Sequence, residues 1–272
     1  MFKTLILSLT LASAIPAHAA VFTATGAAPG DIQTAVDNFR SALGANNGVG
    51  GSFASGRREI NWDAVPNAFA SPNALPGNFF NVNSPRGAVF STPGSGFQVS
   101  ATLASGTPVE FGNIDPSYTA EFQTFSAERL FTPIGSNIMQ IDFFVPGTTT
   151  PASVAGFGAV FTDVELAAQT IFTVFYGDGS NGGQFAVPAG PNGGLSFLGL
   201  TDNRRYSRII IQTGTTALAA GVIENLRTPG VDLVAMDDFI YGEPLSANGV
   251  PEPGSMLLTL AGAAALFLYR RK

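Results

Sequence analysis

Two adjacent carboxylates in VDLVAMDDFIYGEP, Asp237 and Asp238, are the more informative candidates for chemistry in this chain. Neighbouring side chains on a strand point to opposite faces. Asp237 would then share a row with Ala235, Phe239 and Tyr241, and Asp238 a row with Val234, Met236 and Ile240. Both rows are apolar, so at least one of the two carboxylates is expected to be partly buried. A buried carboxylate needs an arginine, several backbone N–H groups or a cation. The residues alone leave all three open.

A second grouping lies in RREINWD, where Glu59 and Asp63 flank Trp62, the only tryptophan. An indole face stacks on a sugar ring while carboxylates take its hydroxyls. A tryptophan buried with charges at its rim would use the same residues. GDGSNGG at 177–183 superficially suggests a calcium loop, but an EF-hand needs Glu at its twelfth position, where Ala189 stands. A hairpin turn between Tyr176 and Phe185 is expected instead. Arg57, Arg58, Arg86, Arg204, Arg205 and Arg208 are read as partners for carboxylates or covers for apolar surface.

Composition excludes several other chemistries. The one histidine is His18 and there is no cysteine. Once the first 20 residues are removed, the chain has no imidazole or thiol for a catalytic triad, a zinc site or ordinary haem ligation. Disulfides are absent too, so the fold must rest on its own core. Residues 21–249 hold nine Arg, no Lys and 18 Asp plus Glu, a net charge of −9. Such a surface repels phosphate backbones, which argues against a nucleic-acid partner. Few charges on a Gly- and Pro-rich body suggest a turn-rich, neutral-polar surface of the kind that accepts sugars.

The elements that must position these residues are mostly strands. FQVSATL (97–103) alternates apolar and polar, and IMQIDFFV (138–145), TIFTVFY (170–176), GLSFLGL (194–200) and SRIIIQ (207–212) are further short apolar runs. Turn signals separate them at Thr92-Pro93-Gly94, Val145-Pro146-Gly147 and Pro191-Asn192-Gly193. This spacing predicts an all-β domain over 21–249, a β-sandwich or jelly roll. One short N-terminal helix is expected over 31–43, capped by Asp31 and ended by Gly44, with Ile32, Val36, Phe39 and Leu43 on one face. The stretch from Gly44 to Pro93 is read as irregular.

The two ends carry a different kind of information. Lys3, an apolar run from Leu5 to Ile15, Pro16 and Ala17-His18-Ala19 form a secretory signal peptide over residues 1–20, to be removed by signal peptidase. At the other end, Met256 to Tyr269 is a run of 14 uncharged residues, about 21 Å as a helix against a hydrocarbon core of about 30 Å. The basic cluster Arg270, Arg271 and Lys272 follows and would stay on the cytoplasmic side. Pro251 and Pro253 keep Glu252 extended, the form in which proteolytic enzymes take a substrate.

Val250-Pro251-Glu252-Pro253, the apolar helix 256–269 and the basic end together resemble the PEP-CTERM sorting signal of exported Gram-negative proteins, here spanning 250–272. The resemblance implies an exosortase as partner. It also implies transient anchoring by the C-terminal apolar helix and a destination at the cell surface or in an exopolysaccharide matrix. The strand with Asp237 and Asp238 resembles the last strand of jelly-roll carbohydrate-binding modules, and that likeness implies a structural calcium at one of these aspartates. The preferred function is a non-catalytic, polysaccharide-associated surface or matrix protein. The alternative is a secreted glycan-active enzyme with two carboxylates about 5–10 Å apart in a cleft.

Overall fold

The computed structural model describes residues 19–224 and 230–246. The signal-peptide segment 1–18, the sorting motif Pro251-Glu252-Pro253, the apolar segment 256–269 and the tail Arg270-Arg271-Lys272 lie outside these. Among the described residues no helix is long and apolar enough to cross a membrane.

The all-β expectation holds: eleven strands join in one antiparallel sheet that nearly closes on itself. They are β1 (Ala20–Gly26), β2 (Arg57–Ile60), β3 (Ala88–Ser91), β4 (Gly96–Val99), β5 (Phe131–Ile134), β6 (Ile138–Phe143), β7 (Val154–Thr162), β8 (Ile171–Tyr176), β9 (Asn181–Ala186), β10 (Leu195–Gln212) and β11 (Ala235–Gly242). Among the described residues the α-helices are α1 (Pro29–Leu43) and two single turns, α2 (Phe79–Val82) and α3 (Tyr118–Glu121).

Strand β10 turns the sheet on itself. Its first half, Leu195–Thr201, lies between β1 and β7, whereas its second half, Tyr206–Gln212, lies between β6 and β8. The change of partners falls at Arg205, whose φ of 58° is left-handed, and at a register shift between Tyr206 and Arg208. The apolar runs 194–200 and 207–212, expected as two strands, are therefore one. Polar Thr201-Asp202-Asn203-Arg204 concealed the continuity.

Within the sheet lies an aromatic-rich core that includes Trp62, Phe90, Phe131, Phe157, Phe172 and Phe239. Helix α1 closes the outer side of β7, β10 and β11, burying Ile32, Val36, Phe39 and Leu43 against Val160, Leu195, Phe197 and Ile240. It begins two residues before the expected cap. Pro29 opens it, and Asp31 reaches back to accept the Ala28 N–H at 3.0 Å. A third cluster, Phe111, Tyr118, Phe122, Leu130, Leu218, Leu233 and Ala235, fills the space below β11.

Two further expectations need correcting. The stretch 44–93 supplies strands as well as loops: β2 pairs with β11 and β3 with β6. The run 97–103 stays in strand only to Val99, and its polar Gln98 and Ser100 are buried alongside Phe97 and Val99. Ser100 gives up alternation because it serves the interior: its Oγ accepts the Leu130 N–H at 2.8 Å, and its carbonyl accepts Arg129 Nη1 at 2.6 Å. The turn expected at 177–183 is present between β8 and β9, with Asp178 accepting the Ser180 N–H at 2.9 Å.

Candidate functional site

The pair Asp237 and Asp238 sits in a β-bulge. Met236 opposes Phe161 and Phe239 opposes Ala159 on β7, so two residues of β11 face the single Val160. A bulge of this kind turns adjacent side chains to a common side. Met236 and Phe239 enter the inner core while both aspartates meet the α1 side, which corrects the expectation of opposite faces.

Both aspartates are buried, and each carboxylate oxygen has a protein partner. Asp237 Oδ2 accepts the N–H groups of Phe125 (2.6 Å) and Ser126 (3.2 Å). Ser126 Oγ donates to Asp238 Oδ1 at 2.7 Å and lies 3.2 Å from Asp237 Oδ1. Asp238 Oδ2 accepts Arg40 Nη2 at 3.0 Å. The Ser126 hydroxyl lies between the two carboxyls, within reach of an oxygen of each. Burial, and next the neighbouring Asp238 charge, push Asp237 well above the ordinary carboxylate range. Burial raises Asp238 as well, but the Ser126 hydroxyl and Arg40 oppose the shift. Asp237 therefore holds its proton more tightly than an ordinary carboxylic acid, while Arg40 and the Ser126 hydroxyl favour the charged form of Asp238. The oxygens expected to hold calcium are thus engaged by Arg40, Ser126 and backbone N–H groups.

The chain of charges continues outward. Arg40 Nη2 also reaches Glu59 Oε2 at 3.0 Å, and Glu59 Oε1 accepts Arg57 Nε at 2.6 Å. Glu59 therefore links two arginines. Asp63 accepts the Arg129 N–H at 3.1 Å, and burial raises its pKa. Trp62 is 1% exposed and stacks on Phe131, with ring centroids 4.0 Å apart and planes within 6°. It packs edge-on against Phe80 and Phe239 as well. The grouping Glu59, Trp62 and Asp63, expected to contact a sugar, leaves no indole face at the surface. The reason is geometric: β2 enters the sheet beside β11 and delivers Trp62, the second residue after it, into the core.

A hollow of about 530 Å³ opens where the end of α1 meets β10 and the end of β11; Ala42, Ser55, Thr201, Asp202, Arg205 and Glu243 are among its walls. Asp202 and Glu243 are its two carboxylates. Glu243 accepts Arg58 Nε at 2.6 Å and Nη2 at 2.7 Å, with Asn47 Nδ2 at 2.8 Å and the Phe53 N–H at 3.2 Å. Asp202 accepts the Tyr176 hydroxyl and the Arg204 N–H, both at 2.8 Å. This pair of carboxylates is tied to the scaffold.

Another set of carboxylates had no local signature. Glu121 ends α3, Asp163 and Glu165 follow β7, and Glu224 and Asp232 precede β11. They come from three separate segments, and only the alternation Asp163-Val164-Glu165 hints at a common face. Among the described residues they form two triads that share Glu224.

No family model matches the chain, and no curated protein matches it. Two solved structures are similar over part of it. One is described as a family 29 carbohydrate-binding module, with 11% identity and a TM-score of 0.24 over 46% of this chain and 73% of its own. The other is a mutant family 29 module from work on ligand recognition, with 11% identity and a TM-score of 0.23 over 46% of this chain and 75% of its own.

Proposed function

We propose that this chain is an exported, non-catalytic protein of the cell surface or extracellular matrix, with a jelly-roll β-sandwich body that associates with polysaccharide. Its route is argued from the two ends of the sequence. Signal peptidase removes the first 19 or 20 residues, and an exosortase recognises Pro251-Glu252-Pro253 and removes the apolar tail. The body between carries a net charge of −9 and no lysine, which suits a neutral or cationic glycan better than a phosphate backbone.

One observation carries the non-catalytic reading. Glycoside hydrolysis needs two carboxylates facing each other across a cleft, one to hand over a proton and one to attack or to activate water. The two carboxylates that line the hollow between α1, β10 and the end of β11 are instead anchored, Glu243 by Arg58 and Asp202 by Tyr176 and Arg204. The adjacent pair Asp237 and Asp238 is buried beneath α1.

The test is expression in an exosortase-bearing Gram-negative host. Intact mass of the protein recovered outside the cells should show loss of both end segments. The same protein should be retained on the host's exopolysaccharide without releasing reducing ends from it. Recovery with residues 256–272 intact overturns the sorting reading, and release of reducing ends favours the glycan-active enzyme.

A further inference from the structure

Five carboxylates meet where α3, the end of β7 and the approach to β11 converge. Oxygens of Glu121, Asp163 and Glu224 lie within 4.8 Å of one another, as do those of Glu165, Glu224 and Asp232. Asp163 and Asp232 are each 0% exposed. A backbone donor fixes one oxygen of each: Asp163 Oδ1 accepts the Gly193 N–H at 2.6 Å, and Asp232 Oδ1 accepts the Glu165 N–H at 3.0 Å. Glu224 Oε1 is held in the same way by the Leu233 N–H. The second oxygens, Asp163 Oδ2, Asp232 Oδ2 and Glu224 Oε2, are buried with no hydrogen-bond partner among the described residues.

Buried anionic oxygens without donors are rare because removal from water leaves their charge uncompensated. Among the described residues no arginine stands among the leading influences on Glu121, Asp163, Glu224 or Asp232, and residues 19–246 contain no lysine. Burial is the largest influence on each of these four groups. It pushes Asp163 up to about 7 and Glu224 up to about 9. Contrast the bulge pair, where Arg40 and Ser126 satisfy Asp238.

We propose that these five carboxylates bind calcium, with Asp163 and Asp232 as buried anchors and Glu224 as the ligand common to both triads. The donors are all oxygen, the set that hard cations take. Calcium–oxygen bonds of about 2.3–2.6 Å leave the oxygens around one ion no more than about 4.6–5.2 Å apart, and each triad keeps its oxygens within 4.8 Å of one another. Magnesium would want a tighter, near-octahedral shell. Bound there, the ion ties α3 and the segment leading into β11 to the end of β7, pinning the third apolar cluster beneath the sheet.

The test is thermal unfolding of the full chain, purified as exported and stripped with chelator, with metal content checked before calcium or magnesium is added. Calcium at a hundredfold excess over its Kd should raise the melting temperature by about 5–10 °C. The shift should vanish in Asp163→Asn/Asp232→Asn. In chelator this variant should melt no lower than wild type, because an amide carries neither the charge nor the proton uptake that burial imposes on these carboxyls. Should it fail to fold, Glu224→Gln carries the same test. Asp237→Asn should keep the full shift. No calcium shift in stripped wild type, a shift that survives the Asp163/Asp232 and Glu224 substitutions, or an equal shift with magnesium overturns the assignment.

Discussion

The indole N–H of Trp62 donates to the main-chain carbonyl of Asp237 at 2.9 Å. The bulge in β11 takes this residue out of register with β7, and the indole supplies the buried carbonyl with a donor from the core side. Trp62 thus fixes the bulge from within while Ser126 and Arg40 hold its carboxyls from outside.

Trp62→Phe should therefore cost stability out of proportion to the small loss of volume. The ring stack on Phe131 can be partly rebuilt, but the Asp237 carbonyl is left buried and unpaired, a penalty of about 1–3 kcal/mol. With the packing loss, a decrease of about 2–4 kcal/mol is expected. Urea unfolding followed by circular dichroism is the measurement, since this substitution removes the chain's only tryptophan. An unchanged midpoint would mean that the indole N–H does nothing for the bulge.

The aspartates themselves predict a pH dependence of definite sign. Asp237 is raised well above its ordinary value, first by burial and next by the Asp238 charge. The folded chain then keeps a proton that the unfolded chain has lost above about pH 4. Its contribution to stability is complete below that pH and is lost as pH rises through the folded value. Asp237→Asn is neutral at every pH, so it should lie nearest wild type at pH 4 and exceed it at pH 8, by a margin that grows as pH rises from the unfolded value. Asp238→Asn removes the charge that Arg40 pairs and should cost about 1–3 kcal/mol at pH 7. Denaturant midpoints for both variants, at both pH values and in chelator, decide the matter. A wild-type excess at pH 8 over Asp237→Asn would reverse the proton assignment.

How much of this could be read beforehand follows from range. The face of α1 was legible because Ile32, Val36, Phe39 and Leu43 repeat at helical spacing, and the turn at Asp178 because Gly-Asp-Gly is a local signal. That Asp237 and Asp238 would be buried was legible from their apolar neighbours. The bulge was not, because it depends on β7 presenting one residue to two. Nor could the sequence show that Trp62 faces inward, which follows from β2 joining β11 and setting the indole against Asp237, 175 residues away. The set Glu121, Asp163, Glu165, Glu224 and Asp232 is nonlocal throughout, and only tertiary structure assembles it.

Arg58 and Glu243 give a prediction of another kind. Both are buried, and Arg58 also donates to the carbonyls of Gly48, Gly50 and Gly51, so one side chain anchors a whole loop to the end of β11. Arg58→Met leaves Glu243 buried with two weaker donors, Asn47 and the Phe53 N–H. Removing one partner of such a pair costs about 3–5 kcal/mol. Adding Glu243→Gln should recover part of that loss, because the remaining group is then neutral. Equilibrium unfolding of the single and double variants tests this. A double variant less stable than Arg58→Met would show that the uncompensated Glu243 charge is not the main cost.

The seat of α1 depends on two glycines. Gly158 of β7 and Gly199 of β10 are paired in register, and the Phe39 ring rests directly over them. A Cβ on Gly158 would lie 2.7 Å from Phe39 Cε1, and one on Gly199 would lie 2.8 Å from Phe39 Cδ2. Neither glycine has a left-handed backbone, so the constraint is the ring itself and not the backbone conformation. Phe39 is held from the sides by edge-to-face contacts with Phe22 at 5.4 Å and Phe197 at 5.7 Å, and it is fully buried, so it has little room to yield. Gly199→Ala should therefore cost about 1–3 kcal/mol through overpacking. Phe39→Leu should cost a similar amount through lost volume. Combined, the two changes should compensate, since the smaller side chain makes room for the new methyl group. A double-mutant cycle by denaturant unfolding should give a favourable coupling of about 1 kcal/mol or more. Strict additivity would mean that the helix shifts as a body to relieve the clash, and that the glycine pair does not set the depth at which α1 packs.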